Sequence, residues 1–442
     1  MATASSSPAR LERLGRIAGR VELLFAAVFL LALWRRWDFA LVEHPPELYV
    51  VADMAIYLER GRALLERPRV PWDLFTPVGY PAWLALCERV APGDLRFVAG
   101  TQAVLGALVA PLAAWLGDRL GGRLVGWLSG LGVALYFPLV FYTGFLLSET
   151  LFSFLLTLGA ALAVHALSSS SRPAALAAGA VLALACMVRP SLLALLPLSS
   201  IWLVASKERH ERRGLALLVG AWLFVMAPLA VHHSSVRGAP ALLATNGGVN
   251  FYLARSDCKA VRSSLGGAIV EVSTHFNRTR FERLCVEGAR LDDEAYFYRE
   301  GLRFALRDPA SLSRAAEALF EGLGLAPRRG WPHQPFWPGS MLHDEEIDLS
   351  SRGFFWLGFL PAIGGAWVLG GRARRGDGRA RAGLVVLVGV LLSVLAVLAV
   401  YNGNPRVRVS SDPLVIVLAA VGAGALVRVL RMRGRSSSAL RS

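Results

Sequence analysis

The chain has 442 residues, of which 55% are hydrophobic and only 18% charged, with a formal net charge of +15 and a mean hydropathy of +0.48. That balance excludes an ordinary soluble globular domain and points to lipid. The positive charge does not point to nucleic acid, because the arginines fall in short clusters between apolar runs, where they set membrane orientation.

In chain order, residues 1–20 are basic and precede an apolar run, as in a signal peptide. Residues 31–37 offer no small-residue cleavage site, so the reading is an uncleaved first span. Crossing the hydrocarbon core takes roughly 20 mostly apolar residues. By that measure about ten runs qualify: 21–34, 95–116, 124–141, 148–167, 174–188, 191–205, 215–231, 354–369, 384–400 and 414–430. A further stretch, 80–90, is too short to span and reads as a re-entrant or interfacial helix. The expected fold is an all-α polytopic membrane protein.

Basic residues fix the orientation. The N-terminus (Arg10, Arg13, Arg16, Arg20), the Arg119/Arg123 turn, the segments 207–213 and 372–381, and the tail 428–441 alternate onto one side, which places both termini in the cytoplasm. Two long connections, 35–94 and 232–352, then lie outside. The resulting organisation is a basic N-terminus 1–20, a transmembrane module 21–231 that includes the outer loop 35–94, an outer region 232–352, C-terminal helices 353–430 and a disordered basic tail 431–442.

Within the first outer loop, residues 52–66 form an amphipathic pattern, with Ile56, Ala63 and Leu64 as an apolar stripe beside Glu59, Arg60 and Arg62. This helix is expected to lie along the membrane surface. Asp53, Tyr57 and Gly61 share one face of it. A positioned carboxylate there suits a general base, but the spacing alone fits a helix N-cap better. Thr76-Pro77-Val78-Gly79-Tyr80-Pro81 reads as a fixed turn leading back to the membrane.

Glu149 has two readings that both stand. It belongs to the first helical turn after an N-capping Ser148, or it is a second carboxylate facing the same outer cavity as Asp53, binding sugar hydroxyls or a divalent cation. Arg189, Arg406 and Arg408 fall on the side where basic residues are disfavoured, so they call for an anion. A lipid phosphate at their depth would supply it; snorkelling to headgroups is the alternative.

In the second outer region, Thr245–Tyr252 is a turn sequence whose amides, with Asn246 and Asn250, suit sugar hydroxyls. Residues 331–337 carry the aromatic content of a carbohydrate platform or an interfacial anchor. His333 and His343 lack partners at metal-ligand spacing, which gives no zinc site. Asn277-Arg278-Thr279 is a glycosylation sequon only where the cell has that machinery. Cys258 and Cys285 share this region and are either bridged or two buried thiols, while Cys87 and Cys186 sit in apolar stretches.

Taken in order, these segments resemble the GT-C superfamily, in the bacterial branch similar to glycosyltransferase family 39 and the protein O-mannosyltransferases. Asp53 with Tyr57 four residues on, followed by Thr76–Pro81, resembles the family's first-loop acid and its Pro-Pro-Gly-Tyr-Pro-like turn. Leu147–Phe152 resembles its Ser-Glu-Thr-Leu-Phe segment and Val188-Arg189-Pro190 its membrane Arg-Pro. Thr245–Tyr252 resembles its Asn-Gly-Gly-x-Asn-Φ-Tyr stretch, and 405–413 its late Pro-Arg-Tyr-Arg region.

The resemblance implies a polyprenyl-phosphate-linked sugar donor, Asp53 as base, Arg406 and Arg408 at the donor phosphate, and inversion at the anomeric carbon; Arg189 is expected at the same phosphate from its place between two spans. Tyr57, Tyr80, Glu149, Asn246 and Asn250 are expected at sugar or acceptor. The place of action is the outer face of a bacterial inner membrane, with protein, lipid A, glycan or glycolipid as acceptor. No cofactor is required by this reading, although a divalent cation stays open. Two departures matter: Met54 stands where the family has Glu, which weakens a metal-binding acidic pair, and Val407 stands where it often has Tyr. The competing readings are a multi-span transporter, a lipid-linked polysaccharide polymerase or ligase, and a non-catalytic lipid-binding protein. A transporter would typically show repeated halves, which the sequence lacks.

Overall fold

The structure is a computed structural model that describes residues 21–50, 52–206, 208–258, 260–273, 284–308, 310–325, 349–350, 352–401 and 405–439. The N-terminus 1–20, the sequon at 277–279, the aromatic run 331–337 and both His333 and His343 lie outside the described residues.

The chain is mostly helical. Helix α1 (Val21–Asp38) passes into a π turn at Phe39–Glu43. The loop that follows carries α2 (Asp53–Glu66) and α3 (Gly79–Val90). Asp94 then caps α4 (Leu95–Gly121), its carboxylate accepting from the Phe97 amide at 3.0 Å. Helix α5 (Arg123–Leu135) ends where Pro138 opens the short α6 (Phe137–Phe141), and the chain bends by 53° at that break. Next come α7 (Glu149–Ser169), α8 (Arg172–Val188), a 3₁₀ turn at Pro190–Ala194, α9 (Leu195–Ala205) and α10 (Arg209–Arg237).

The segment after α10 contains α11 (Gly247–Arg255), strands β1 (Ala260–Leu265), β2 (Ala268–Ser273) and β3 (Leu284–Val286), and helices α12 (Glu294–Arg307) and α13 (Ala310–Gly322). A π turn at Phe354–Phe359 leads into α14 (Leu360–Arg374), followed by α15 (Gly378–Val400), the five-residue α16 (Pro405–Val409) and α17 (Asp412–Ala439).

Six helices among the described residues are long and apolar enough to cross a membrane, or seven if the bent α5–α6 pair is one span. All ten apolar runs fall on helix, yet three miss that measure for identifiable reasons. Helix α1 carries Glu22, Arg35, Arg36 and Asp38, while α8 has 17 residues and α9 has 11, both short of a full crossing. Helix α4 packs on α1, α5 and α7, α8 on α7 and α10, and α17 on α5 and α14. The buried side of α4 is mostly small: Ala99, Ala103, Ala107, Ala110, Ala113 and Ala114. Small residues let backbones approach where lipid gives no hydrophobic drive between helices.

The all-α expectation holds for this body but not for the region beyond α10, where the three strands form a sheet of order β2-β1-β3. β1 and β2 are antiparallel with Leu265 opposite Ala268. They turn through Gly266 and Gly267 at φ of +57° and +89°, conformations that glycine adopts without strain and that match a two-residue hairpin. Cys258 and Cys285 are bridged, with Cα atoms 5.9 Å apart. A second core of Phe75, Tyr252, Val261, Leu265, Leu291 and Phe297 fills this lobe.

Two local expectations change. Residues 247–252 are helix rather than turn: a Cβ on Gly248 would lie 2.7 Å from the Glu294 carbonyl oxygen, so the glycines let α11 rest directly on α12. In α2 the buried side is Met54, Arg60, Gly61 and Ala63, whereas Leu64, expected in the apolar stripe, is 42% exposed.

Candidate active site

Four charged side chains from segments far apart in sequence meet at one end of the helix bundle. Asp53 is the first residue of α2, after Ala52, which the chain holds at φ +48°. Its carboxylate does not cap its own helix as the spacing suggested. It accepts instead from Arg406 Nη1 at 2.8 Å. Glu149 opens α7, and Ser148 before it holds the N-cap position without a side-chain cap bond. Glu149 Oε1 accepts from Arg189 Nη1 at 2.9 Å and from Arg406 Nε.

Local chemistry explains each placement. Pro190 disfavours helical backbone in the residue before it, so Arg189 leaves α8 in an extended conformation at φ −141°, ψ 109°. Its guanidinium stacks over the Phe152 ring, 5.9 Å from the centroid. Gly79 supports the same corner: a Cβ there would lie 2.6 Å from the Val188 amide nitrogen, so α3 starts hard against the end of α8.

Exposure grades across the cluster. The Asp53 side chain is 43% exposed and Arg406 12%, while Arg189 is 17% and Glu149 only 1% exposed. The buried carboxylate thus anchors both arginines, and the accessible one lies at the rim. Burial alone would lower the Arg406 pKa, but Glu149 and Asp53 hold it well above its ordinary value. Two carboxylates and two guanidiniums balance in charge, and Arg406 fills the space between the acids. A divalent cation bound by both would have to displace it.

Tyr57 sits beside the cluster, its hydroxyl pushed up to about 12 by burial and by Asp53. It meets Tyr80 edge to face at 5.2 Å. Tyr80 itself is turned inward and donates to Gln102 Oε1 at 2.7 Å, while Gln102 donates to the carbonyls of Thr143 and Phe145. This network pins the α3 start to the turn preceding Glu149.

Arg408 is not brought into the cluster. It is 2% exposed, pairs with Asp412 at 3.2 Å and lies 3.4 Å from the centroid of Phe354. Its donor Nη2 reaches the Tyr136 hydroxyl at 3.3 Å. Residues two apart on a helix face nearly opposite ways, so Arg406 and Arg408 serve different neighbours. Asn246 and Asn250 stand at the N-cap and within α11, and no side-chain hydrogen bond ties either to the cluster among the described residues. The lobe packs against the end of α15, where Phe251 meets the Tyr401 ring and Tyr298 shares a hydrogen bond with the Tyr401 hydroxyl.

Sequence reasoning overlooked Arg60. Read as part of an exposed polar face, it is 2% exposed and donates to the carbonyls of Asp73 and Thr76 and to the Thr76 hydroxyl. Its spacing of seven from Asp53 placed it on the Asp53–Tyr57–Gly61 face, a signal that charge obscured.

No family model matches the chain, and no curated protein matches it in sequence. Among solved structures, it is similar to ArnT from Cupriavidus metallidurans bound to undecaprenyl phosphate, with a TM-score of 0.51 and 13% identity over 90% of this chain and 59% of that one. A likeness with a TM-score of 0.48 and 12% identity extends to AglB, an archaeal oligosaccharyltransferase from Archaeoglobus fulgidus in complex with an inhibitory peptide and a dolichol-phosphate, over 94% of this chain and 52% of that one. The chain thus spans just over half the length of the proteins it matches. It carries the GT-C fold.

Proposed function

We propose that the chain transfers a sugar from a polyprenyl-phosphate-linked donor to an acceptor hydroxyl at the outer face of a bacterial inner membrane. The observation that carries this reading is the Asp53–Arg406–Glu149–Arg189 cluster, in which an accessible carboxylate and two anchored guanidiniums share one end of the bundle. A fold in common with a protein bound to undecaprenyl phosphate supports it.

In the proposed single displacement, Asp53 takes the proton from the acceptor hydroxyl, the oxygen attacks the anomeric carbon, and the lipid phosphate leaves with inversion. Its exposure suits an entering acceptor. Arg406 and Arg189 receive the departing phosphate, and fixed charges of this kind cost no reorganisation during reaction. Glu149 keeps both guanidiniums oriented before the donor arrives. When phosphate engages Arg406, the guanidinium serves three anions, Asp53, Glu149 and the phosphate, which loosens its hold on Asp53. Arg408 is assigned to holding α16, α17 and the Phe354 turn together rather than to the donor. The lobe beyond α10 and Tyr57 line the acceptor side.

The test is a release assay on purified protein with a panel of polyprenyl-phosphate sugars, alongside direct binding of undecaprenyl phosphate. Sugar release by wild type and none by Asp53→Asn is the expected result. Wild-type protein that binds no lipid phosphate and releases no sugar would overturn the reading and favour a transporter.

A further inference from the structure

Beside the cluster, the bundle encloses charge that the cluster does not explain. Arg36, near the end of α1, is 1% exposed and pairs with no carboxylate among the described residues. Its Nη1 and Nη2 donate to the carbonyls of Ala32, Ala134 and Val133 at 3.3, 3.4 and 3.1 Å. Its Nε has no partner there. A buried cation held only by carbonyl dipoles is costly unless something further compensates it.

A small cavity supplies the missing link. It has a volume of about 10 Å³, and Arg36, Gly106, Glu149, Ser153 and Ser410 are among the residues that line it. That is room for about one water, which needs two to four polar partners. Four side-chain atoms of these residues are buried without a hydrogen bond among the described residues: Arg36 Nε, Glu149 Oε2, Ser153 Oγ and Ser410 Oγ. All four residues are at least 98% buried. Gly106 keeps the space open, since a Cβ there would lie 3.0 Å from Arg36 Nε and Cδ.

We propose that Arg36 is a positioning residue for Glu149, acting through one water molecule held in this cavity. The water accepts from Arg36 Nε and donates to Glu149 Oε2, and the hydroxyls of Ser153 and Ser410 complete its hydrogen bonds. Glu149 then has both oxygens committed, Oε1 to Arg189 and Arg406 and Oε2 to Arg36 through the water. Its carboxylate cannot rotate away from the two arginines without breaking the water contact. The water site itself rests on the shared cavity and its four unpartnered atoms; its consequence for ligand binding rests on the sugar-transfer reading.

Two measurements decide it. The first is a structure at a resolution that shows ordered water. Density within hydrogen-bond distance of Arg36 Nε and Glu149 Oε2 is expected in wild type and absent in Gly106→Ala, which retains the guanidinium. A dry wild-type cavity overturns the proposal. The second is a double-mutant cycle of Arg36→Met and Glu149→Gln, read as undecaprenyl phosphate affinity and as melting temperature. Arg36→Met should weaken lipid-phosphate binding about tenfold, the scale of one hydrogen bond to a charged group. Arg36→Lys should restore most of it, and Arg36→Met should add nothing in the Glu149→Gln background.

Additive effects on melting temperature, with lipid affinity unmoved by Arg36→Met, would mean that Arg36 is only a packing element. Should Arg36→Met not fold, Gly106→Ala carries the same affinity test. Should wild type bind no undecaprenyl phosphate, the sugar-transfer reading fails by itself, and the water density together with the melting cycle still decides the water site.

Discussion

The charged cluster and the disulfide-bridged lobe keep their shapes by opposite means. In the cluster, side chains from α2, α7, α16 and the end of α8 meet through ion pairs around a buried carboxylate, with partners 353 and 257 residues apart. In the lobe, a glycine hairpin and a bridge between cysteines 27 residues apart do the work within one stretch of chain. Charges in a low-dielectric setting depend strongly on one another, because removing one member leaves the others desolvated and unpaired. A covalent bridge instead restricts the unfolded chain and leaves neighbouring contacts almost independent. Damage should therefore spread through the cluster and stay local in the lobe.

The largest effect is expected from Asp53→Asn, which removes the proposed base and should lower turnover by about 10²–10⁴-fold. Because its side chain is 43% exposed, melting temperature should barely move; a variant that turns over normally would end the base assignment. Arg406→Ala should cost about 10²–10³-fold in rate and, unlike Asp53→Asn, should also destabilise by roughly 3 kcal/mol, since Glu149 loses one of its two cations. Adding Glu149→Gln should return part of that stability. If it does not, charge is not what holds this corner.

Cys258→Ser should lower the stability of the lobe by about 2–4 kcal/mol while leaving undecaprenyl phosphate affinity within about threefold. Hydrogen exchange that loosens α2 and α7 as much as β1 would contradict the separation between the two regions. Arg255 joins them, donating from the lobe to the last carbonyls of α15, Ala399 and Val400. Carbonyls at a helix C-terminus lack intrahelical partners, so Arg255→Ala should cost about 1 kcal/mol and reduce turnover by no more than a few-fold. The smallest change is expected from Asn250→Ala, within about 0.5 kcal/mol in stability. A large rise in acceptor KM for that variant would restore a sugar-contact role.

Much of this was legible in order along the chain. Apolar runs bounded by arginines announce the helices, because hydrocarbon tolerates few charges. Glu149, Arg189, Arg406 and Arg408 stood out individually, each being charged where lipid or the positive-inside rule disfavours it, while Asp53 stood out only through its place at the start of an outer-loop helix and the order of motifs after it. The lobe's sheet escaped notice, as its strands are only three to six residues long and their alternation is weak. Arg60 reads from sequence as a surface charge and Arg36 gives no signal at all, since nothing local distinguishes an arginine whose carbonyl partners lie on other segments.

The sequence by itself determined the membrane character, the helical body and the cast of charged residues, all of which follow from composition and short-range periodicity. Tertiary structure alone decided the pairing: Arg406 between Asp53 and Glu149, and Arg408 turned away to Asp412. The physical reason is that an ion pair acts over a few ångströms of space, and its strength depends on burial. Neither quantity is encoded in the spacing of residues along the chain.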